Sequence, residues 1–137
     1  MTELTVTRLL AAPPDRVWRA FTTAEELAAW FWPTAWDAVV TVDLRVGGRY
    51  RVASAPVGMA FGGEYVAVEP TERLVQTWLW DGEHAETLVT ITLAPTADGG
   101  TDLTIVHERF ATEHDATQHL QGWNDCLDRL PAALESR

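Results

Sequence analysis

The stretch HLQGWNDCLDRLPAAL, residues 119–134, decides the fold. Its large apolar residues recur at steps of three, four, three and four, which is the spacing along one face of an α-helix. The residues of this apolar stripe are Leu120, Trp123, Leu127, Leu130 and Leu134. A helix with such a face must bury it. We therefore predict a long C-terminal helix from about Asp115 to Leu134 that packs against another layer.

The segment that can cover this face is residues 37–110, which reads as strands separated by turns. The pairs Gly47-Gly48 and Asp81-Gly82 and the triplet Asp98-Gly99-Gly100 are turn signals. Residues 87–93 alternate strictly, so that successive side chains face opposite sides of a sheet. The pair Gly62-Gly63 interrupts another strand and predicts a bulge or a sharp bend there.

The N-terminal third predicts one strand and two short helices. Residues 3–10 are strand-like, and a helix can begin at Pro13 or Pro14. Thr23 and Glu26 have the spacing of a capping box that starts the second helix, which Pro33 ends. The predicted class is α+β, with an antiparallel sheet of six to seven strands, the two short helices after the first strand, and one domain over residues 1–137.

Composition excludes several functions. The net charge is −10 and the pI is about 4.6. Such an acidic chain is not expected to bind nucleic acid or to dock on anionic membrane surfaces. No apolar run approaches the roughly 20 residues of a membrane span. Cys126 is the only cysteine, which fits a reducing cytoplasm. Metal-binding spacings, phosphate loops and dinucleotide fingerprints are absent from the sequence, so we expect no metal and no cofactor.

Five segments carry a resemblance to a known family. They are residues 12–18, 27–31, 44–50 and 72–78, and Gly122-Trp123 followed by Leu127 and Leu130. The chain resembles the START-like (SRPBCC) helix-grip superfamily, and within it the bacterial relatives of the heat-shock protein 90 ATPase activator C-terminal domain. The resemblance implies a helix-grip fold, in which a curved sheet wraps a long C-terminal helix around a cavity. Members of the superfamily bind lipids, steroids or polyketides, act as cyclases, or assist a chaperone.

Strand parity selects the candidate pocket residues. His107 shares a face with Leu103 and Ile105, while Gln76, Trp78 and Trp80 share one with Leu74. The predicted ligand-binding residues are Trp30, Trp36, Phe61, Gln76, Trp78, Trp80, His107, His119 and Trp123. Of these, Trp30, Trp36 and Phe61 are expected at the pocket mouth, together with Trp32. A tryptophan of this set can equally be core packing. His107 can be a buried, hydrogen-bonded histidine, and His119 can be an exposed helix residue.

Three functions remain open at this point. The first is a carrier or binding protein for a small apolar or aromatic ligand, without catalysis. The second is a cyclase, dehydratase or hydrolase on an apolar substrate, with His107 as the candidate acid–base residue. The third is a chaperone-regulating interaction module, which is disfavoured because the sequence lacks the added N-terminal domain of eukaryotic co-chaperones. A homodimer is compatible with each. A cavity that contains several polar groups would favour the first two functions. A filled core with an exposed apolar patch would favour the third.

Overall fold

Seven antiparallel strands and three helices make up residues 2–135, the part of the chain described by this computed structural model. The elements are β1 (Thr2–Leu10), α1 (Pro14–Thr22), α2 (Ala24–Trp30), a 3-10 turn (Thr34–Trp36), β2 (Val39–Val42), β3 (Arg49–Ser54), β4 (Met59–Glu69), β5 (Arg73–Trp80), β6 (Thr87–Pro95), β7 (Thr101–Phe110) and α3 (Glu113–Glu135). The strands form one curved sheet in the order β1-β7-β6-β5-β4-β3-β2. This confirms the predicted α+β class and its strand number.

The long helix α3 buries the predicted apolar stripe with one exception. Trp123, Leu127, Leu130 and Leu134 are buried, whereas Leu120 is 37% exposed. Helical geometry places Leu120 roughly 60° to one side of Trp123. The buried surface of α3 extends to the opposite side of Trp123. Buried residues on α3 outside the stripe are Ala116 and Cys126. None of the helices in residues 2–135 combines the length and the apolar character needed to span a membrane.

The predicted capping box at the start of α2 is wrong. Thr23 is the N-cap residue, but its side chain makes no capping hydrogen bond. The Glu26 carboxylate instead lies 2.6 Å from the Arg16 guanidinium of α1. Arg16 also donates to the Ala133 carbonyl of α3 at 3.0 Å. Leaving a buried guanidinium without a carboxylate costs more free energy than leaving a backbone N–H near solvent without one. Through these two contacts, Arg16 links α1 to α2 and to α3.

Strand register carries His107 into the interior. Leu103, Ile105 and His107 are all fully buried, as their shared parity predicts. The parity then breaks because Arg109 adopts a left-handed backbone with φ of 75° and forms a bulge against β1. Phe110, which strict alternation would not place in line with His107, is therefore buried.

The pair Gly62-Gly63 marks a close approach of two strands and not the predicted bulge, while the sharp bend that was the alternative stays a prediction. β4 pairs regularly with β5 through Gly62, and the register shift comes later, between Tyr65 and Ala67. A Cβ on Gly63 would lie 2.0 Å from the Thr77 carbonyl oxygen of β5. Glycine is thus required because the two backbones approach too closely for any side chain.

Candidate ligand-binding pocket

A pocket of about 830 Å³, partly open to solvent, lies between α3, the 3-10 turn and the ends of β3, β4 and β5. This is within the usual size range of small-molecule sites. Seven Phe and Trp side chains contribute to its lining: Phe31, Trp32, Trp36, Trp78, Trp80, Phe110 and Trp123. Trp32 and Trp36 come from the turn after α2, Trp78 and Trp80 from the end of β5, and Trp123 from α3. Elements distant in sequence therefore meet at one site.

Five of the nine predicted binding residues lie on the pocket wall, and the other four lie behind it. The wall residues are Trp36, Trp78, Trp80, His119 and Trp123, and the residues behind are Trp30, Phe61, Gln76 and His107. Their role in binding stays a prediction. Trp30 is 1% exposed and donates its indole N–H to the Ala20 carbonyl at 2.9 Å. The Phe61 ring stacks on Trp78 with centroids 3.7 Å apart, so it supports the wall from inside.

Gln76 faces a separate, much smaller void. This void measures about 20 Å³ and is shared with apolar and aromatic side chains that include Tyr50 and Trp78. Burial raises the pKa of Tyr50 well above its ordinary value, so this phenol stays neutral. The Tyr50 hydroxyl donates to the Thr77 carbonyl at 2.7 Å. Gln76 thus lines the small void beside Tyr50 and not the open pocket.

His107 is held by hydrogen bonds at both ring nitrogens. Its Nδ1 lies 3.1 Å from Nε1 of Trp123, and an indole N–H can only donate, so Nδ1 carries no proton. Its Nε2 therefore carries the proton and donates to the Thr87 hydroxyl at 2.7 Å. Thr87 in turn donates to the Trp78 carbonyl at 3.3 Å. Burial, and secondly the nearby His119, lower the pKa of His107 to about 3, which keeps the ring neutral.

His119 is the imidazole that faces the pocket. Its Nε2 accepts the Trp80 indole N–H at 2.9 Å, so the proton resides on Nδ1. Nδ1 donates to the Asp115 carbonyl one helical turn earlier, also at 2.9 Å. The sequence left an exposed helix residue open as the alternative here, whereas the ring is half-buried on the pocket wall. The side of α3 that carries His119 therefore faces the pocket.

Charged groups ring the pocket, and sequence reasoning did not find them. Arg51 of β3 makes two hydrogen bonds to the Asp81 carboxylate, at 2.9 and 2.6 Å. Arg129 donates to the Trp30 and Phe31 carbonyls at 3.1 and 2.7 Å, at the C-terminal end of α2. The lining also includes the carboxylates of Glu83, Asp115 and Asp125. Four carboxylates thus accompany two guanidinium groups.

The remaining reactive group in the lining is inert. Cys126 is buried, and its burial raises the pKa of the thiol to about 12. A protonated thiol is a poor nucleophile, so the pocket holds no activated cysteine. Among residues 2–135, no three His, Cys, Asp or Glu side chains converge as metal ligands would.

The comparisons with known proteins cover nearly the whole chain. A family model described as Activator of Hsp90 ATPase homolog 1-like protein matches residues 11–135. The crystal structure of CV1439 from Chromobacterium violaceum is 35% identical, covers 97% of this chain and 96% of its own, and has a TM-score of 0.83. DynU16, a protein in the dynemicin biosynthetic locus, is 30% identical over 97% of this chain and 47% of its own, with a TM-score of 0.83.

A more distant structure shares the fold alone. PFC0360w, an HSP90 activator from Plasmodium falciparum, is 20% identical, covers 98% of this chain and 97% of its own, and has a TM-score of 0.79. No curated protein sequence matches the chain. The likenesses therefore define a family and a fold, while what the pocket does has to be argued from its own residues.

Proposed function

This chain belongs to the family of activator of Hsp90 ATPase homolog 1-like proteins, and we propose on that footing that it binds a small apolar or aromatic molecule in the pocket beside α3. The proposal is for a carrier or binding protein without catalysis. The observation that carries it is the wall of seven Phe and Trp side chains around about 830 Å³ of open space. Protein interiors are otherwise close-packed, so an aromatic-lined volume of this size favours a ligand over a purely structural core.

The alternative of catalysis through His107 gains no support from the hydrogen bonds. Both nitrogens of this ring are engaged, by Trp123 and Thr87, and the ring is fully buried behind the wall. A general base must come within hydrogen-bond reach of the proton that it takes. The interaction-module alternative predicts a filled core, and the open pocket favours a small-molecule ligand instead.

Gly122 offers a direct test. It lies on α3 at the pocket wall, and a Cβ built on it has no heavy atom within 4 Å. A Cβ is therefore accommodated, and the ring of Gly122→Phe should extend into the pocket and fill part of it, while Gly122→Ala is the matched control that leaves the volume nearly unchanged. Nile red, a neutral dye that brightens in apolar surroundings, serves as the probe. Native mass spectrometry of freshly purified protein would reveal a molecule carried through purification.

We expect the wild-type protein and Gly122→Ala to bind Nile red with similar affinity. Gly122→Phe should bind it at least about tenfold more weakly, which corresponds to roughly 1.4 kcal/mol. Circular dichroism would establish that both variants remain folded. Binding by Gly122→Phe as tight as by the wild type, or a complete lack of binding by the wild type, would contradict the proposal.

A further inference from the structure

One hydrogen bond on the pocket wall ties the end of β5 to α3. The Trp80 indole N–H donates to Nε2 of His119 at 2.9 Å, and Nδ1 of His119 donates to the Asp115 carbonyl at 2.9 Å. Because an indole nitrogen can only donate, Nε2 is the unprotonated nitrogen of this imidazole. The contact therefore requires one protonation state of His119, the neutral one.

Trp80 lies where this hydrogen bond affects the shape of the pocket. The residue is half-buried and forms part of the lining. Its ring stacks on that of Trp32, from the turn after α2, with the ring planes 13° from parallel and the centroids 6.4 Å apart. Its N–H meets His119 of α3. Trp80 thus contacts both the wall formed by the turn and the wall formed by α3.

Protonation of His119 would remove the acceptor on which this contact depends. Both nitrogens of an imidazolium carry protons, so Nε2 would present a donor to the donor of Trp80. A donor that loses its acceptor away from bulk water costs free energy, and the two side chains should therefore separate. The pocket wall would then lose the position of Trp80 that the neutral imidazole fixes.

The groups around His119 identify it as the one that mild acid would change. Its ring lies 5.1 Å from that of His107 and 4.8 Å from that of Phe110, both on β7, and 6.1 Å from that of Trp78 on β5. Burial lowers the pKa of His107 to about 3, so that ring stays neutral in mild acid. The charged residues that line the pocket with His119 are Arg51, Asp81, Glu83, Asp115, Asp125 and Arg129. Carboxylates and arginines ordinarily keep their charge down to about pH 5.5.

We propose that His119 is a positioning residue, whose neutral imidazole fixes Trp80 in the pocket wall and whose protonation releases Trp80 and weakens ligand binding. This inference rests on the proposed binding function and deepens it, because it gives the same pocket a dependence on pH. The ligand would be held at neutral pH and released more readily in acid.

The test measures the affinity for Nile red by fluorescence titration at pH 8.0 and at pH 5.5. In His119→Gln, the amide oxygen can still accept the Trp80 N–H, but the side chain does not titrate. His114→Gln is the matched control, because His114 is exposed on the same helix and lies outside the lining. Circular dichroism at both pH values would establish that each protein stays folded.

We expect the wild type to bind Nile red about fivefold more weakly at pH 5.5 than at pH 8.0, the effect of losing one hydrogen bond of ordinary strength. His114→Gln should show the same loss, and His119→Gln should bind equally at the two pH values. A wild-type affinity that does not fall in acid, or a loss that persists in His119→Gln, would overturn the inference while leaving the binding function intact. A wild type that does not bind the dye at pH 8.0 would overturn both.

A second measurement needs no variant of His119. In the ¹⁵N-labelled wild type, the indole N–H signal of Trp80, assigned by its absence from the Trp80→Phe spectrum, should move upfield between pH 8.0 and pH 5.5, because a proton that loses its hydrogen bond is more shielded. The signal of Trp123 is the internal reference, because its acceptor His107 stays neutral. A Trp80 signal as constant as that of Trp123 would contradict the release of Trp80.

Discussion

Nε1 of Trp123 lies 3.1 Å from Nδ1 of His107, and this hydrogen bond joins the middle of α3 to the inner face of β7. Both residues are buried, so neither group can replace its partner with bulk water. The bond also fixes the imidazole tautomer, which directs the Nε2 proton to Thr87. His107 thereby links helix to sheet. A change in its protonation or its removal should therefore alter the free energy of unfolding.

Acidification should destabilise the protein through His107. The pKa of this histidine is about 3 in the folded protein, while an unfolded histidine titrates near 6.5. Between these values the unfolded chain binds a proton that the folded protein does not. The free energy of unfolding should therefore fall as the pH drops from about 6.5 towards 3, by up to roughly 1.4 kcal/mol per pH unit from this group. Urea unfolding at pH 7.5, 6.0 and 5.0 would measure it.

His107→Gln is the control for that pH series. Glutamine retains one donor and one acceptor but does not titrate. Its free energy of unfolding should be lower than that of the wild type at pH 7.5, and the gap should narrow as the pH falls to 5.0. Wild-type and variant curves that stay parallel over this interval would show that His107 is not the responsible group.

Truncation of Trp123 should expose two separable contributions. Trp123→Ala should lower the free energy of unfolding by about 3–5 kcal/mol, the usual cost of removing a large buried aromatic side chain. Trp123→Phe keeps a ring and removes the indole N–H, which leaves Nδ1 of His107 without a donor. It should cost about 1–3 kcal/mol. Urea unfolding of both variants would measure this, and an unchanged midpoint for Trp123→Ala would mean that the residue does not support the core.

The elements with strong periodicity could be predicted from the sequence, and the side chains at their irregular points could not. The α3 stripe and the parity of Leu103, Ile105 and His107 are local patterns, and the structure confirms them except at the exposed Leu120. Phe110 reaches the pocket only because Arg109 adopts a left-handed backbone, which no residue type at these positions announces. Which side of the α3 stripe faces the pocket depends on how the whole sheet packs against the helix. The position of His119 on the pocket wall therefore could not be read from a local pattern.

Contacts between distant elements were equally hidden. Arg51 of β3 meets Asp81, which directly follows β5, although β4 lies between these two strands. Arg129 meets the end of α2 only after α3 has docked. Such pairs follow from tertiary geometry, and the sequence contains many other charged residues that could have formed them. The aromatic character of the pocket was predictable from composition, whereas its charged rim was not.

Gly122 should be a position where substitution stabilises the protein. It lies inside α3, where glycine is less favourable than alanine, and a Cβ there meets no heavy atom within 4 Å. Gly122→Ala should raise the free energy of unfolding by about 0.5–1 kcal/mol. Chemical denaturation at pH 7.5 would measure the change. A loss of stability would indicate that the backbone at this position needs the freedom of glycine.

Glu26 and Thr23 should differ sharply in their contribution to stability, because Glu26 forms an ion pair with Arg16 instead of completing a capping box with Thr23. The Glu26 and Arg16 side chains are 13% and 9% exposed, and their charged atoms lie 2.6 Å apart. Glu26→Ala would leave the Arg16 guanidinium buried without its carboxylate and should lower the free energy of unfolding by about 3 kcal/mol. Thr23→Ala removes no hydrogen bond of the side chain and should change it by less than about 0.5 kcal/mol. Urea unfolding of the two variants side by side would measure both. A working capping box would reverse the expectation for Thr23, whose loss would then cost about 1 kcal/mol.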